Sequence, residues 1–261
     1  MFLGIEIGGT KLQLGVGGGE GPPLTALERW AVDPQHGARG ILRQIAEHGR
    51  RLVETHRATA VGFGFGGPVD GGRGRTIVSH QVGGWDDFPL ADWCREHLGL
   101  PALVANDSDS AGVAEARFGA GKGRSVVFYT NVGSGIGGAL VLDGRLYGGG
   151  SGVCSEIGHL RPGLDCEQPQ RTVESLASGW AIADTVRPQV DRAAHGARFD
   201  DSSAGDLLRR CAGYPERLST QMVAEAAVAG NVLARMAFDK ACRAYGWAVA
   251  QAITLVAPQV V

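Results

Sequence analysis

Phe2–Ile7 is a short apolar run that predicts a strand, and Gly8-Gly9-Thr10 turns the chain. Lys11–Val16 then alternates, with Leu12, Leu14 and Val16 sharing a face, so the chain opens as a β-hairpin. Arg29–Val32 predicts a third strand. Residues 39–56 place Ile41, Leu42, Ile45, Leu52 and Val53 at helical spacing. Ala60–Phe65 reads as a buried strand that breaks into Gly66-Gly67-Pro68. Leu90–Leu98 predicts a helix, and Ala102–Ala105 a strand ending at Asn106-Asp107. Ser108–Phe118 predicts a helix with Ser108 near its N-cap.

The pattern restarts after Gly119–Gly123. Ser125–Thr130 and Ala139–Leu142 read as strands joined by a Gly-rich turn over 131–138, and Asp143-Gly144 signals a further hairpin turn. Helices are predicted over 173–193, 203–212, 219–229 and about 230–256, with a loop over 196–206. Pro258 ends the last helix, and Gln259-Val260-Val261 looks like the start of a strand. The two strand–Gly turn–strand units each open a block of mixed β and α. They suggest two related lobes with a cleft between them, and a boundary near 108–124. The expected domains are residues 1–115 and 116–261.

Composition narrows the function classes. Glycine is the outlier, 42 of 261 residues, about 16% against a usual share of roughly 7%. The glycines gather at the ends of apolar runs, where backbone turns sharply or approaches a ligand. With 25 Lys+Arg against 27 Asp+Glu the net charge is −2, which argues against a basic nucleic-acid or membrane-binding face. Five cysteines without a CxxC pair argue against a disulfide framework and for a reducing compartment. No signal peptide and no apolar run of about 18 residues is visible, so a cytoplasmic chain is expected.

Gly133–Gly138 fits GxGxxG, but a strand follows it, whereas the dinucleotide fingerprint needs a helix there. Gly121-Lys122-Gly123 lacks the first glycine and the Ser/Thr of a Walker A loop. Either Gly-rich hairpin turn can be an ordinary tight turn. Either can also converge its backbone N–H groups into a nest for phosphate. Two such turns at the starts of two lobes favour a nucleotide clamp.

Gly4-Ile-Glu-Ile-Gly-Gly-Thr-Lys11, Gly64-Phe-Gly-Gly-Pro-Val-Asp70, Gly84-Trp…Pro-Leu90, Val104-Ala-Asn-Asp107, Asn131-Val-Gly-Ser-Gly-Ile-Gly-Gly138 with Asp143-Gly-Arg-Leu-Tyr147, Glu156-Ile-Gly-His159 and Glu174-Ser-Leu-Ala-Ser-Gly179 run collinearly over roughly 1–180. Together they resemble the ROK family of sugar kinases and sugar-responsive repressors. The resemblance implies an α/β, two-lobed actin-like ATPase (ribonuclease H-like) fold. It also implies ATP-dependent phosphorylation of a hexose hydroxyl, glucose first. Asp107 would be the general base, with Gly67, Asn106, Asp107, Glu156, His159 and Glu174 at the sugar. Glu6, Gly8, Gly9, Thr10, Lys11, Thr130, Gly133, Ser134 and Gly135 would face ATP and Mg²⁺. A homodimer without nucleic-acid or membrane partners is expected. For Asp107 alone the plainer reading is the cap of the following helix, and Trp85 and Phe88 read as core.

Three departures qualify the resemblance. Glu6 stands where the family usually has Asp. The stretch His159–Glu174, where many relatives bind zinc, is shortened and keeps only Cys166, so no zinc is expected because a structural site needs four ligands. The family's adenosine-flanking Gly segment beyond Val261 is missing, which leaves a truncated chain or a pocket lacking one wall. A sugar-responsive repressor, which would carry a helix-turn-helix before the first motif, and a catalytically weak sugar binder remain as alternatives.

Overall fold

A computed structural model describes residues 1–79, 81–148, 154–163, 168–196 and 202–261. The hairpin of β1 (Phe2–Ile7) and β2 (Lys11–Gly17) is extended by β3 (Ala26–Ala31). The third strand therefore lies earlier than Arg29–Val32. Antiparallel pairing from Lys11↔Ala31 to Val16↔Ala26 sets its limits. Residues expected as one helix over 39–56 form α1 (Gly37–Gln44), a π-helical turn (Ile45–Gly49) and α2 (Arg50–His56). The wider turn keeps Ile45 and Gly49 both buried, with Leu98 side-chain atoms 3.5 Å from where a Gly49 Cβ would sit.

The strand β4 (Ala60–Phe65) pairs parallel with β1 and is followed by a small hairpin, β5 (Val69–Asp70) and β6 (Arg75–Thr76), that the hydrophobic pattern did not predict. After α3 (Leu90–Leu98), β7 (Ala102–Asn106) pairs parallel with β4, giving the sheet order β3-β2-β1-β4-β7. One face of this sheet is the core: Leu3, Ile5, Ile7, Leu12, Leu14 and Val16 are buried with Phe63, Phe65 and Trp85. Trp85 meets Phe65 and Phe88 edge-on, as befits core aromatics.

The helix α4 (Asp107–Phe118) follows directly, and its N-cap is Asn106 rather than Ser108. Next come β8 (Val126–Val132), β9 (Ile136–Leu142) and β10 (Arg145–Leu146), a three-stranded sheet in the order β10-β9-β8. The strand expected at 259–261 reduces to a single parallel bridge, Val127 to Val260. The remaining elements are helical: α5 (Val173–Ala177), α6 (Gly179–His195), α7 (Ser203–Arg210), α8 (Thr220–Val228) and α9 (Val232–Val256). The helix predicted over 173–193 is thus two, because Ser178 is extended and caps α6 through Ala181 N–H. Alanines 234, 237, 241, 248 and 252 form the buried stripe of α9, where small side chains let helices approach closely.

Two compact units result. One comprises Met1–Tyr129, Ala139–Tyr147 and Val260–Val261, the other Thr130–Gly138 and Gly148–Gln259. A boundary at 115/116 would cut α4. That helix stays with the first unit because Gly112 packs on the first unit's stretches of β8 and β9: a Cβ there would lie 2.5 Å from Ala139 Cβ and 3.2 Å from Tyr129 Cβ. Among the described residues no helix is long and apolar enough to cross a membrane.

Gly112 and Gly246 make a matched test of this packing. In a helix Ala normally stabilises over Gly by about 1 kcal/mol. Gly246→Ala, with nothing within 4 Å of the new methyl, should raise the urea midpoint. Gly112→Ala should lower it, because overpacking typically costs about 1–3 kcal/mol.

Candidate functional site

In the first unit, the register Ile7↔Phe65 and Phe65↔Asn106 brings the carboxyl ends of three parallel strands side by side. The loops that leave them are Gly8-Gly9-Thr10, Gly66-Gly67 and the start of α4. This edge of a parallel sheet is where α/β folds place ligands. Gly8 N–H donates to Lys11 C=O at 3.0 Å and Gly66 N–H to Ile7 C=O at 2.9 Å, which locks the first two loops together. A Cβ at Gly67 would lie 2.7 Å from Val78 O and 2.9 Å from Phe65 Cε1, so no side chain fits there. At Gly9 the same position is taken by the Gln81 carboxamide.

Asn106 works on two sides. Its Oδ1 accepts the N–H groups of Ser108 (2.9 Å) and Asp109 (3.2 Å), and its Nδ2 donates to Gly67 C=O at 3.2 Å. The amide expected at a sugar ring is committed to the helix end and to the Gly66-Gly67 loop. With Asn106 as the cap, Asp107 is the first residue of α4. Its Oδ1 accepts from Ser108 N–H at 2.7 Å and Ser108 hydroxyl at 3.3 Å. Its Oδ2 lies 3.4 Å from where a Gly66 Cβ would be. Burial pushes the Asp107 carboxyl above the ordinary carboxylate range, the Ser108 hydrogen bonds pull it back, and the Glu6 charge adds to the rise. Glu6 is half-buried and paired with Lys11, Nζ to Oε1 3.1 Å.

In the second unit the Gly-rich turn between β8 and β9 is held from several sides. Gly133 C=O accepts Gly179 N–H at 2.9 Å, and a Cβ at Gly179 would stand 2.7 Å from that oxygen. Glu174 Oε2 accepts Ile136 N–H at 2.7 Å and would meet a Gly135 Cβ at 2.5 Å. Thr130 Oγ1 donates to Gly137 C=O at 2.8 Å and receives the Tyr245 hydroxyl at 3.1 Å. An open groove of about 560 Å³, lined among others by Ser134, Glu174, Trp180, Asp184 and Lys240, runs beside the turn. Glu156 precedes a 3-10 turn (Ile157–His159) that His159 ends, and both are exposed. That turn sits against β9 through Gly158, where a Cβ would be 2.4 Å from Ile136 O.

The predicted positions thus fall into two groups. Glu6, Gly8, Gly9, Thr10, Lys11, Gly67, Asn106 and Asp107 gather in the first unit. Thr130, Gly133, Ser134, Gly135, Glu156, His159 and Glu174 belong to the second. Gln81 and Tyr245 carry no signal in the sequence, whereas Ser178 stands there within the Glu174–Gly179 motif, a Ser-Gly pair inside a helical pattern. Cys166 lies outside the described residues. Among the described residues no group of three or more His, Cys, Asp or Glu is arranged to hold a metal ion.

The sequence profile of the ROK family matches residues 2–261. The glucokinase of Thermotoga maritima is 29% identical over 265 residues, which span 100% of this chain and 80% of that protein. The N-acetylmannosamine kinase of Yersinia pestis is 29% identical over 231 residues, 84% of this chain and 77% of that one. The crystal structure of a ROK family glucokinase from Streptomyces griseus in complex with glucose and AMPPNP superimposes with a TM-score of 0.82 at 30% identity, covering 99% of this chain and 82% of that one. The fold is that of the actin-like ATPases.

The environment of Asp107 can be measured directly. In carbon-labelled protein its carboxyl should titrate above the ordinary value of about 3.9. Glu6→Gln should bring the midpoint down, because a neighbouring negative charge favours the protonated acid.

Proposed function

The chain belongs to the ROK family, and from that premise we propose that it transfers the γ-phosphoryl group of ATP to a hydroxyl of a hexose, with glucose the first candidate. The observation that carries this reading is Asp107. It is a half-buried carboxylate with a raised affinity for protons, one oxygen bonded to Ser108 and the other set against the Gly66-Gly67 loop, with Asn106 as the helix cap. In the transfer the hydroxyl oxygen attacks the γ-phosphorus, the bond to the β,γ-bridging oxygen breaks, and ADP leaves. The hydroxyl proton passes to Asp107. Such a base is most useful when its proton affinity approaches the working pH, and burial moves Asp107 in that direction.

The Gly8-Gly9-Thr10 turn offers backbone N–H groups, the Thr10 hydroxyl and the Lys11 ammonium to phosphate. The turn at Gly133-Ser134-Gly135 offers a second set of backbone N–H groups, and Thr130 braces that loop through Gly137 C=O. Mg²⁺, when bound, would neutralise charge on the phosphate oxygens, and Glu6, whose oxygens hold Lys11 and Gln13, is proposed to face it as an outer contact only. Glu156 and His159 are exposed polar groups suited to vicinal hydroxyls, with Glu174 as a further acceptor through its second oxygen. Glucose is put first by the glucokinase relatives, and the kinase relative named for N-acetylmannosamine makes that sugar the first alternative.

A coupled ADP-release assay over glucose, mannose, N-acetylglucosamine and N-acetylmannosamine tests the reading. Hexose-independent ADP release, or none with any sugar, would reject it. Asp107→Asn should lower kcat by about 10²–10⁴ while sugar affinity stays close to that of the parent. The melting temperature at neutral pH should not fall. The folded state raises the affinity of Asp107 for its proton, so the charged form costs stability as pH rises through the unfolded value, and the amide removes that cost.

Glu156→Gln and His159→Ala should weaken hexose binding by calorimetry. A lost charge-assisted hydrogen bond typically amounts to about 1.5–3 kcal/mol, tenfold or more in Kd. ADP binding should stay unchanged in both variants.

A further inference from the structure

The first sheet sets Glu6, Gln13 and Arg29 directly opposite one another, Glu6↔Gln13 between β1 and β2 and Gln13↔Arg29 between β2 and β3. All three point away from the buried Leu12 and Leu14 side of the sheet. Arg29 Nε donates to Gln13 Oε1, and Gln13 Nε2 donates to Glu6 Oε2. The other carboxylate oxygen, Glu6 Oε1, holds Lys11 Nζ at 3.1 Å. The order is one-way: guanidinium, amide, carboxylate, ammonium. Each end of the Gln13 amide meets a charged partner, the stronger class of hydrogen bond.

We propose that Gln13 and Arg29 are positioning residues for the first phosphate turn: through Glu6 they fix the Lys11 ammonium beside Gly8-Gly9-Thr10. The inference rests on that turn being a phosphate hold, as proposed above. A Lys–Glu pair with both side chains this exposed, 56% and 37%, is weak and mobile when alone. A lysine ammonium is a point charge on a flexible four-carbon stem, so its aim depends on what its partner does. The cross-strand ladder removes the freedom of that partner. The ladder holds two cations, Lys11 and Arg29, to the one carboxylate of Glu6, so the assembly keeps a net positive charge for an arriving anion.

The test is calorimetric binding of ADP in the presence of a metal chelator, with glucose binding and melting temperature measured alongside. Gln13→Leu and Arg29→Met should each raise the Kd for ADP about threefold to tenfold. Arg29→Lys should restore most of the affinity, since an ammonium can still donate to Gln13 Oε1. Glucose Kd and melting temperature should hold. In a Lys11→Met background, Gln13→Leu should have no further effect, because the ladder acts through that lysine. Unchanged ADP affinity in both single variants would overturn the proposal. So would an undiminished effect without Lys11, or parallel losses of ADP affinity, glucose affinity and melting temperature. A parent chain that binds no ADP would defeat the functional reading itself, and this inference with it.

Discussion

The Asn106 carboxamide is the interaction on which the first half of the site depends. Its oxygen ends the α4 backbone by taking two N–H groups, and its nitrogen ties the Gly66-Gly67 loop to the same point. Strand β7, helix α4 and the loop after β4 are therefore fixed relative to one another by a single side chain. Asp107 inherits that rigidity. It begins the helix, where a carboxylate is favoured by the N-terminal dipole, and it shares the Ser108 N–H with the Asn106 cap through Oδ1 alone. Losing Asn106 would free two helix N–H groups and the loop together, so its replacement would disturb more than one contact's worth of structure.

Glycine plays a corresponding part in the second unit, through space rather than conformation. At Gly135, Gly158 and Gly179 the place of a Cβ is already occupied by Glu174, Ile136 and Gly133 atoms. The segments at Gly158 and Gly179 close on the hairpin turn because neither carries a side chain there, and Gly135, within the turn, leaves room for the Glu174 carboxylate. The turn is thereby held open-faced, with its backbone braced from the outside. This is preorganisation, in which the ordering cost is met in folding rather than on binding.

Much of this was legible in the sequence because it is local. The period of two in Lys11–Val16, the short buried run Ala60–Phe65 and the Gly breaks after each place β1, β2, β4 and the loops at their ends. The motifs that carry the family resemblance cover the same segments. What escaped was set by register or by contacts distant in sequence. Asn106-Asp107-Ser108 are three good capping residues in a row, so composition could not choose among them, whereas the register of β7 does. The π-helical turn before α2 leaves the apolar pattern intact, so periodicity does not reveal it. The Glu6–Gln13–Arg29 ladder needs the pairing of three strands across a loop of eight residues, and Glu174 reaches Ile136 across 38 positions. The hairpin that α4 packs on lies beyond residue 115, a contact that the sequence pattern does not carry.

The way the two units share the chain also orders events during synthesis. The five strands of the first sheet are all present once residue 106 has been made, and two of their four pairings join neighbours in sequence. That sheet can form early. The same unit also takes in 139–147 and, through the bridge of Val127 to Val260, the far end of the chain. Between those two additions the whole helical unit must emerge. The edge of β8 that receives Val260 therefore waits through more than a hundred residues of translation for that partner. A strand edge kept waiting in this way is open to a wrong partner.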